Sequence, residues 1–270
     1  MTDPACDRLG EPTVAILDDS ERLAAAAAER VAAALVSAIE LRGRADLATT
    51  GGSSPAGVYL RLRQPPLRDL VPWRAVHLWW GDDRYVPRDH PLSNVFAVDE
   101  ILLEAVDGVP IPIDQVHPWP TGRAIAGDLG PDWCAEAYAA EASRHLPAGA
   151  GGVPAFDLVL LGIGPDGHLL SVFPGSAAIG SSRLALGIPA PTHVEPHVPR
   201  VTFNPTILDA AGAILVMVSG AGKADVLARI LDGPRLDPAT ADGLPAQLAR
   251  RTSAGWLVDA AAGAGLRPRR

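Results

Sequence analysis

Two segments of this chain are apolar over nearly their whole length, and this limits the kind of sheet they can form. They are FDLVLLGIG at 156–164 and GAILVMVSG at 212–220, and neither alternates apolar with polar residues. A strand with one face in water alternates in this way, whereas a strand covered by helices on both faces does not. The two segments therefore predict a parallel sheet buried between two layers of helices.

Helical patterns alternate with strand patterns along the rest of the chain. We predict strands at 13–19, 46–52, 75–83, 115–120, 156–164, 212–220 and 254–260, and helices at 20–42, 55–63, 92–105, 131–146 and 223–231. This order predicts an α/β fold with a doubly wound, mostly parallel sheet and helices on both faces, in three αβα layers. We expect a single domain over 1–270, with its core at about 13–260 and solvated tails at both ends.

The charge and the apolar pattern exclude several classes of partner. The net charge is −8 and the basic residues form no stripe, so we expect no nucleic-acid partner. The N-terminal residues lack the pattern of a secretory signal, and no apolar run approaches the roughly 20 residues that span a bilayer. We therefore expect a cytoplasmic protein with no membrane partner. Cys6 and Cys134 are too far apart in sequence to predict a disulfide framework or a cluster of metal ligands.

Polar and glycine-rich loops follow four of the predicted strands. In open parallel sheets, ligands bind at the carboxyl ends of the strands, so we expect these loops to converge on one site. The four loops are Gly51-Gly52-Ser53, Asp82-Asp83-Arg84, Gly164-Pro165-Asp166-Gly167-His168, and Gly220 to Lys223.

The loop after the 156–164 strand contains GIGPDG, which fits the GxGxxG pattern of dinucleotide-binding folds. That pattern requires a full helix after the third glycine and then a second strand that ends in an acidic residue. Pro174 follows too closely for such a helix, and 187–199 contains four prolines and no strand of that kind. The sequence therefore argues against a nicotinamide cofactor.

Two of the loops have features of an anion site. In TTGGSSP at 49–55, the backbone N–H groups of a helix start could hold a phosphate, although an ordinary strand-to-helix turn explains the same residues equally well. Lys223 is the only lysine of the chain, and a lysine near a helix N-terminus is unfavourable unless an anion lies between them. Arg200 is a second basic candidate. For both residues the alternative is an ordinary surface charge.

Asp166 and His168 form the strongest catalytic candidate, since they lie two residues apart in a loop bounded by glycines. The glycines leave the imidazole room to face a ligand. A histidine that titrates near neutrality can take a proton from water and return it to a leaving group. The other six histidines, His193 among them, have no such context in the sequence.

Taken together, five blocks of the sequence resemble the 6-phosphogluconolactonase family, within the wider group of glucosamine-6-phosphate deaminase-like and ribose-5-phosphate isomerase-like folds. The resemblance implies hydrolysis of 6-phospho-D-glucono-1,5-lactone to 6-phosphogluconate in the pentose phosphate pathway. It implies a phosphorylated sugar lactone as substrate, no cofactor or metal, and a monomer or weak homodimer. The blocks are GGSSP (51–55), WWGDDRYVPRDHPLSN (79–94), FDLVLLGIGPDGHLLSVFPG (156–175), PRVT (199–202) and SGAGK (219–223).

The resemblance also implies a role for each candidate residue. His168 is expected to be the general base on a water molecule, Asp166 to orient the imidazole, and Arg84 to stabilise charge on the carbonyl oxygen. The residues expected to bind the substrate and its phosphate are Gly51, Gly52, Ser53, Asp82, Asn94, Gly164, Gly167, Arg200 and Lys223.

The sequence departs from the family's usual pattern at several positions: Ser54 and Leu169 replace threonines, Asp83 replaces a glutamate, and Leu170 and Val172 also differ. Phe173 keeps the family's pattern and stands where the related deaminases carry the glutamate that supports ring opening. A related isomerase or deaminase is one alternative, and the missing carboxylate argues against it. A non-catalytic sugar-phosphate sensor is another, but such domains normally follow a DNA-binding motif, for which we expect no room before residue 13. We also expect the Gly- and Pro-rich segment 176–198 to move as a lid.

Overall fold

The structure is a computed structural model that describes residues 10–104 and 106–268, without the side chains of Ser53 and Ser54. The strands in these residues are β1 (Thr13–Leu17), β2 (Ala45–Thr49), β3 (Val76–Trp80), β4 (Asp82–Arg84), β5 (Val116–His117), β6 (Leu158–Leu161), β7 (Ala185–Ile188), β8 (Arg200–Phe203), β9 (Ala213–Val218) and β10 (Ala254–Asp259). The helices are α1 (Ser20–Arg42), α2 (Ser53–Leu62), α3 (Leu67–Leu70), α4 (Asn94–Ile101), α5 (Thr121–Ala126), α6 (Gly130–His145), α7 (Ile207–Ala210), α8 (Ala224–Leu231) and α9 (Ala260–Gly263).

The central sheet is parallel throughout, in the order β1-β10-β9-β6-β2-β3-β5. From β1 the chain moves towards the β5 edge through β2 and β3, and then returns through β6, β9 and β10. Crossover connections between parallel strands are right-handed, so a reversal of direction puts the connecting helices on the opposite face. The connections α1, α2 and α4 therefore lie on one face, and α6 and α8 on the other. The predicted doubly wound α/β sheet is confirmed.

Burial follows the apolar pattern of the sequence. Every residue of β6 is buried, as is every residue of β9 after Ala213. Asp19 caps the N-terminus of helix α1, because its side chain accepts a hydrogen bond from the Arg22 N–H at 2.7 Å. Gly43, in the left-handed conformation, caps the C-terminus. Its buried face is mostly alanine, which allows close packing: Leu23, Ala24, Ala27, Ala28, Val31, Ala32, Leu35 and Ala38. None of the described helices combines the length and the apolarity needed to cross a membrane.

A second, antiparallel sheet with the order β4-β8-β7 is absent from the sequence prediction. The prediction of one strand over 75–83 is wrong. The chain bends at Gly81, and the residues on either side form β3 of the central sheet and β4 of the second sheet. A Cβ at Gly81 would lie 2.6 Å from Leu170 Cδ2, so a larger residue at this bend would displace the Leu170 side chain. This sheet places Arg84 of β4 directly opposite Arg200 of β8.

The direction of winding changes between β2 and β6, which are neighbours in the central sheet. Strand β2 leads on to β3 at one side, and β6 leads to β9 at the other, so the loops at their carboxyl ends diverge. Ligands of open α/β sheets bind in the crevice that this divergence leaves. That residues 1–270 form one domain stays a prediction.

Candidate active site

A cleft of about 240 Å³ occupies this crevice. Loops after β2, β3, β6 and β9 line it, as expected for carboxyl ends that meet at one edge of a parallel sheet. Nine of the residues predicted from the sequence line the cleft: Gly51, Gly52, Asp82, Arg84, Asn94, Gly164, His168, Arg200 and Lys223.

Two of the predicted residues that the structure describes, Asp166 and Gly167, do not line the cleft. Asp166 lies behind His168, so it reaches the cleft only through that ring. Gly167 has a φ of +85°, and a Cβ there would lie 2.6 Å from Leu244 Cδ2, which places this residue against the protein. A role of Gly167 in binding stays a prediction. The Ser53 side chain lies outside the described part of the structure.

His168 and Asp166 form a hydrogen-bonded pair, with His168 Nδ1 2.6 Å from Asp166 Oδ1. The His168 backbone N–H also points to Oδ1, at 3.2 Å. Burial disfavours the charge on Asp166, but the hydrogen bonds and positive charge of its histidine neighbours outweigh burial and hold the pKa of this carboxyl well below its usual range. An ionised carboxylate only accepts, so Nδ1 carries the proton of this bond, and Nε2 is the nitrogen that has the lone pair of a base in the neutral ring.

The loop that carries the pair is compact because of its glycines. A Cβ on Gly164 would lie 1.9 Å from His168 Nδ1 and 2.5 Å from Asp166 Oδ1, so no larger residue fits beside the pair. The Gly164 N–H donates to the His168 carbonyl at 2.9 Å, which closes the loop. Leu170 follows with a φ of +54°, an uncommon conformation for a leucine that occurs here in the wall of the cleft.

Arg84 and Arg200 face each other across the β4–β8 ladder, and no acidic side chain in the described part of the chain lies at ion-pair distance from either. Arg84 Nη1 donates to the Leu92 carbonyl at 2.9 Å and Arg200 Nη2 to the Pro196 carbonyl at 2.8 Å. The Nε atoms of both arginines are buried and have no hydrogen-bond partner. Burial, and then the charge of Arg84, lowers the pKa of Arg200. Two adjacent cations with unused donors, of which Arg200 is buried and Arg84 partly buried, form a site for an anionic or strongly polarised oxygen.

The carboxylates after β3 are both held by the protein. Ser171 Oγ donates to Asp82 Oδ2 at 2.5 Å, and the Asn94 side-chain amide donates to the Asp82 carbonyl at 2.9 Å. Asp83 accepts from the N–H groups of Arg84 and Asn94, both at 2.7 Å, and from Ser93 Oγ. Burial raises the pKa of Asp83 to about 7 against these bonds. The shorter carboxylate at this position therefore joins β4 to the start of α4 and does not face the ligand.

The N-terminus of α2 and Lys223 form a second positive region of the cleft. Helix α2 starts after Gly52, which has a φ of +102° and offers no capping side chain, so its first N–H groups remain for a ligand. Lys223 Nζ donates to the Ile163 carbonyl, and burial lowers the pKa of Lys223 although Asp166 opposes this. Asn94 Oδ1 is buried without a partner, in the space that a Cβ on Gly51 would fill.

Sequence reasoning missed several residues of the site, Ser171 and Leu170 among them, and set aside His193. Ser171, which holds Asp82, and Leu170 lie in the block that matched the family, but nothing in their spacing indicated their contacts. His193 had no sequence context, yet its Nε2 lies 2.9 Å from Asp166 Oδ2. Only the fold brings residue 193 to residue 166, so no local signal could have found this contact. Among the described residues, no cluster of three or more His, Cys, Asp or Glu side chains could hold a metal ion.

The sequence of this chain is similar to those of known bacterial proteins. The family described as "Glucosamine-6-phosphate isomerases/6-phosphogluconolactonase" matches residues 18–258. A 6-phosphogluconolactonase of Synechocystis sp. is 34% identical, over 95% of this chain and 99% of the relative. A 6-phosphogluconolactonase of Mycobacterium leprae is 36% identical, over 93% of this chain and 97% of the relative.

Solved structures share the fold. The 6-phosphogluconolactonase from Trypanosoma brucei superposes with a TM-score of 0.82 at 29% identity, over 96% of this chain and 100% of that one. A monomeric glucosamine-6-phosphate deaminase superposes with a TM-score of 0.73 at 19% identity, a likeness of fold alone. The family match covers most of the chain and all of the strand-end loops described above. The chain therefore belongs to the glucosamine-6-phosphate isomerase/6-phosphogluconolactonase family.

Proposed function

We propose that this protein hydrolyses 6-phospho-D-glucono-1,5-lactone to 6-phosphogluconate, the lactonase step of the pentose phosphate pathway. The observation that carries the proposal is the position of the His168–Asp166 pair in one cleft with the unpartnered arginines 84 and 200. A base near a site for a developing oxyanion is what ester hydrolysis requires. The names of the two bacterial relatives support the same activity.

In the proposed reaction, His168 Nε2 removes a proton from a water molecule as the water oxygen bonds to C1 of the lactone. The C1 carbonyl oxygen becomes negatively charged, and a guanidinium of the arginine pair stabilises it. The bond between C1 and the ring oxygen then breaks. His168 returns its proton to that oxygen, which becomes a hydroxyl group of the open-chain acid. Asp166 keeps Nδ1 protonated throughout and stabilises the imidazolium that forms.

The phosphate of the substrate needs a second positive region, at a distance from the reacting carbon. The N-terminus of α2, at Gly51 and Gly52, and the Lys223 ammonium supply one, because helix N–H groups and a partly buried cation both favour an anion. Asn94 Oδ1 and Asp82 are available as acceptors for sugar hydroxyls.

Phe173 argues for hydrolysis over the related isomerisation. An aldose–ketose isomerase needs a further carboxylate that moves protons at this position, and a phenyl ring cannot do so. The Phe173 ring packs against His168, with 4.7 Å between the ring centroids. A sensor without catalysis is the other candidate, but it would not require a hydrogen-bonded base beside buried cations.

A turnover assay tests the proposal. Purified protein is mixed with 6-phosphogluconolactone, and acid release is followed after subtraction of the spontaneous rate. We expect turnover by the wild type and a loss of about 10²- to 10⁴-fold in kcat for His168→Ala, the usual contribution of a general base. Wild-type protein that binds 6-phosphogluconate in a thermal-shift titration but gives no turnover would be a sensor. Full activity in His168→Ala would remove the base from this residue.

A further inference from the structure

Asp166 uses both of its carboxylate oxygens, and each faces a different histidine. Oδ1 accepts from His168, and Oδ2 lies 2.9 Å from His193 Nε2. Since the carboxylate is ionised, Nε2 of His193 must carry the proton of that bond. The proposed function requires only the first of these contacts. The second therefore needs an explanation of its own.

An aromatic side chain sets the position of His193. The Phe173 ring is buried, and its centroid lies 4.7 Å from that of His168 and 5.5 Å from that of His193, with the second pair nearly perpendicular. Edge-to-face contacts of this kind are favourable and orient the rings that make them. The two imidazoles thus lie against one phenyl ring and donate to one carboxylate.

The segment that carries His193 is attached to the arginine side of the cleft. The Pro196 carbonyl accepts from Arg200, and the Pro199 carbonyl accepts from the Tyr85 N–H at 2.8 Å. Val194 and Glu195, the two residues after His193, line the cleft. Among the residues that the structure describes, the hydrogen bond between His193 and Asp166 is the one side-chain bond that connects this segment to the loop of the catalytic pair.

We propose that His193 is a positioning residue for the general base, an inference that rests on the proposed function. Without His193, both remaining bonds, from the ring and the backbone N–H of His168, are to Oδ1, so Oδ2 would have no partner to oppose rotation about the Cβ–Cγ bond that turns Oδ1 away from His168. His193 holds Oδ2 and so prevents this rotation. The productive orientation of the imidazole then depends on His193, which directly precedes Val194 and Glu195 in the wall of the cleft.

The experiment compares two substitutions of His193. His193→Phe keeps an aromatic ring beside Phe173 but removes the donor, whereas His193→Gln keeps an N–H donor that can reach Asp166. We expect kcat of His193→Phe to fall by about tenfold to a hundredfold with little change in KM, because a misplaced base affects the transition state and not substrate binding. We expect His193→Gln to restore most of kcat.

His197→Phe is the matched control, since His197 lies on the same segment and bonds to the Pro191 carbonyl and Glu195 but not to Asp166. We expect its kcat to stay near the wild-type value. Combining His193→Phe with Asp166→Asn should cost no more than Asp166→Asn alone, because the two residues act as a unit. Any of four outcomes would overturn the proposal. They are equal losses of kcat in His193→Phe and His197→Phe, a rise in KM alone in His193→Phe, no rescue of kcat in His193→Gln, and additive losses of kcat when His193→Phe is combined with Asp166→Asn.

A measurement without substrate separates this inference from the proposed function. The Nδ1 proton of His168 is expected to give a low-field ¹H resonance in the wild type, because its bond to Asp166 is short. We expect that resonance to weaken or shift in His193→Phe and to return in His193→Gln. An unchanged resonance in His193→Phe would contradict the positioning role. Absence of lactone turnover by the wild type would instead contradict the proposed function.

Discussion

At the residue scale, Arg200 is a buried charge that the fold leaves without an acidic partner. Its side chain is 4% exposed, it faces Arg84, and both burial and that neighbour lower its pKa. Such a group costs folding free energy, and its benefit appears when an anion binds. We therefore expect Arg200→Met to lower kcat/KM by about 10²- to 10³-fold, as the loss of an oxyanion donor does, and to raise the free energy of unfolding by about 1 kcal/mol.

Thermal unfolding and kinetics on the same preparation check this expectation. A gain of 1 kcal/mol corresponds to a rise in Tm of about 2–4 °C for a chain of this size. The control is Arg183→Met, because Arg183 is exposed and pairs with Asp132 and Glu136 on the surface. Its loss should change stability by less than about 0.5 kcal/mol and leave kinetics unaltered. A lower Tm in Arg200→Met would mean that the guanidinium stabilises the empty fold.

At the element scale, the turn after β6 determines where the base can sit. Gly164 lies against the catalytic pair, and a Cβ there would be 1.9 Å from His168 Nδ1. Gly164→Ala must push the imidazole away, so we expect kcat to fall by about 10²-fold, the cost of a displacement of about 1 Å. Far-ultraviolet circular dichroism should remain that of the wild type, because the turn is at the end of the strand.

Gly122→Ala is the matched control for this turn. Gly122 lies in α5, and nothing lies within 4 Å of a Cβ built there, so alanine fits. We expect wild-type kcat, with stability unchanged or slightly higher, since alanine favours a helix over glycine. Equal kcat in Gly164→Ala and Gly122→Ala would show that the His168 ring is not constrained by the turn.

The elements that the sequence predicts are those whose signal is local. Local patterns predict β6 and β9, which are apolar runs, and α1, which has an alanine-rich face. Burial on both faces of a strand or along one stripe of a helix leaves a pattern in neighbouring residues of the sequence. The antiparallel sheet does not, since β4, β7 and β8 have three or four residues each and pair across long stretches of chain. The facing arginines and the contact of His193 with Asp166 were unpredictable for the same reason.

At the scale of the whole molecule, the winding of the sheet explains why the candidate residues meet although they are far apart in sequence. The loops after β2 and β6 diverge at the point where the chain reverses direction, and the loops after β3 and β9 lie at the same edge. The sequence predicts the class of fold but not the order of the strands in the sheet, because many orders satisfy the same alternation of strands and helices. Nine of the residues that line the cleft were predicted from the sequence, whereas the distances between them were not.

A second polar network lies outside the cleft, at the β3–β5 edge of the sheet. The Glu141 carboxylate lies 2.9 Å from His117 Nδ1, and His117 Nε2 lies 3.0 Å from His77 Nδ1. Since the carboxylate only accepts, His117 donates to it and accepts from His77. Burial, and then the charge of Arg44, lowers the pKa of His77 to about 4.

His77 should therefore make the stability of the whole protein depend on pH. Its pKa is below the ordinary value of about 6.5, so between these values the unfolded chain binds a proton that the folded chain does not. The contribution is complete above about pH 6.5 and is lost as the pH falls towards 4, by about 1 kcal/mol once solvent screening of this half-buried ring is allowed for. The variant His77→Asn tests this expectation, because it keeps an N–H donor for His117 and removes the titration. Urea unfolding at several pH values measures the free energy of unfolding of the wild type and of the variant. The raised pKa of Asp83 gives stability an opposite trend with pH, but this trend is common to both proteins and cancels in their difference. We expect the variant to lose less stability than the wild type from pH 7 to pH 4.5, and parallel curves would show that His77 titrates alike in both states.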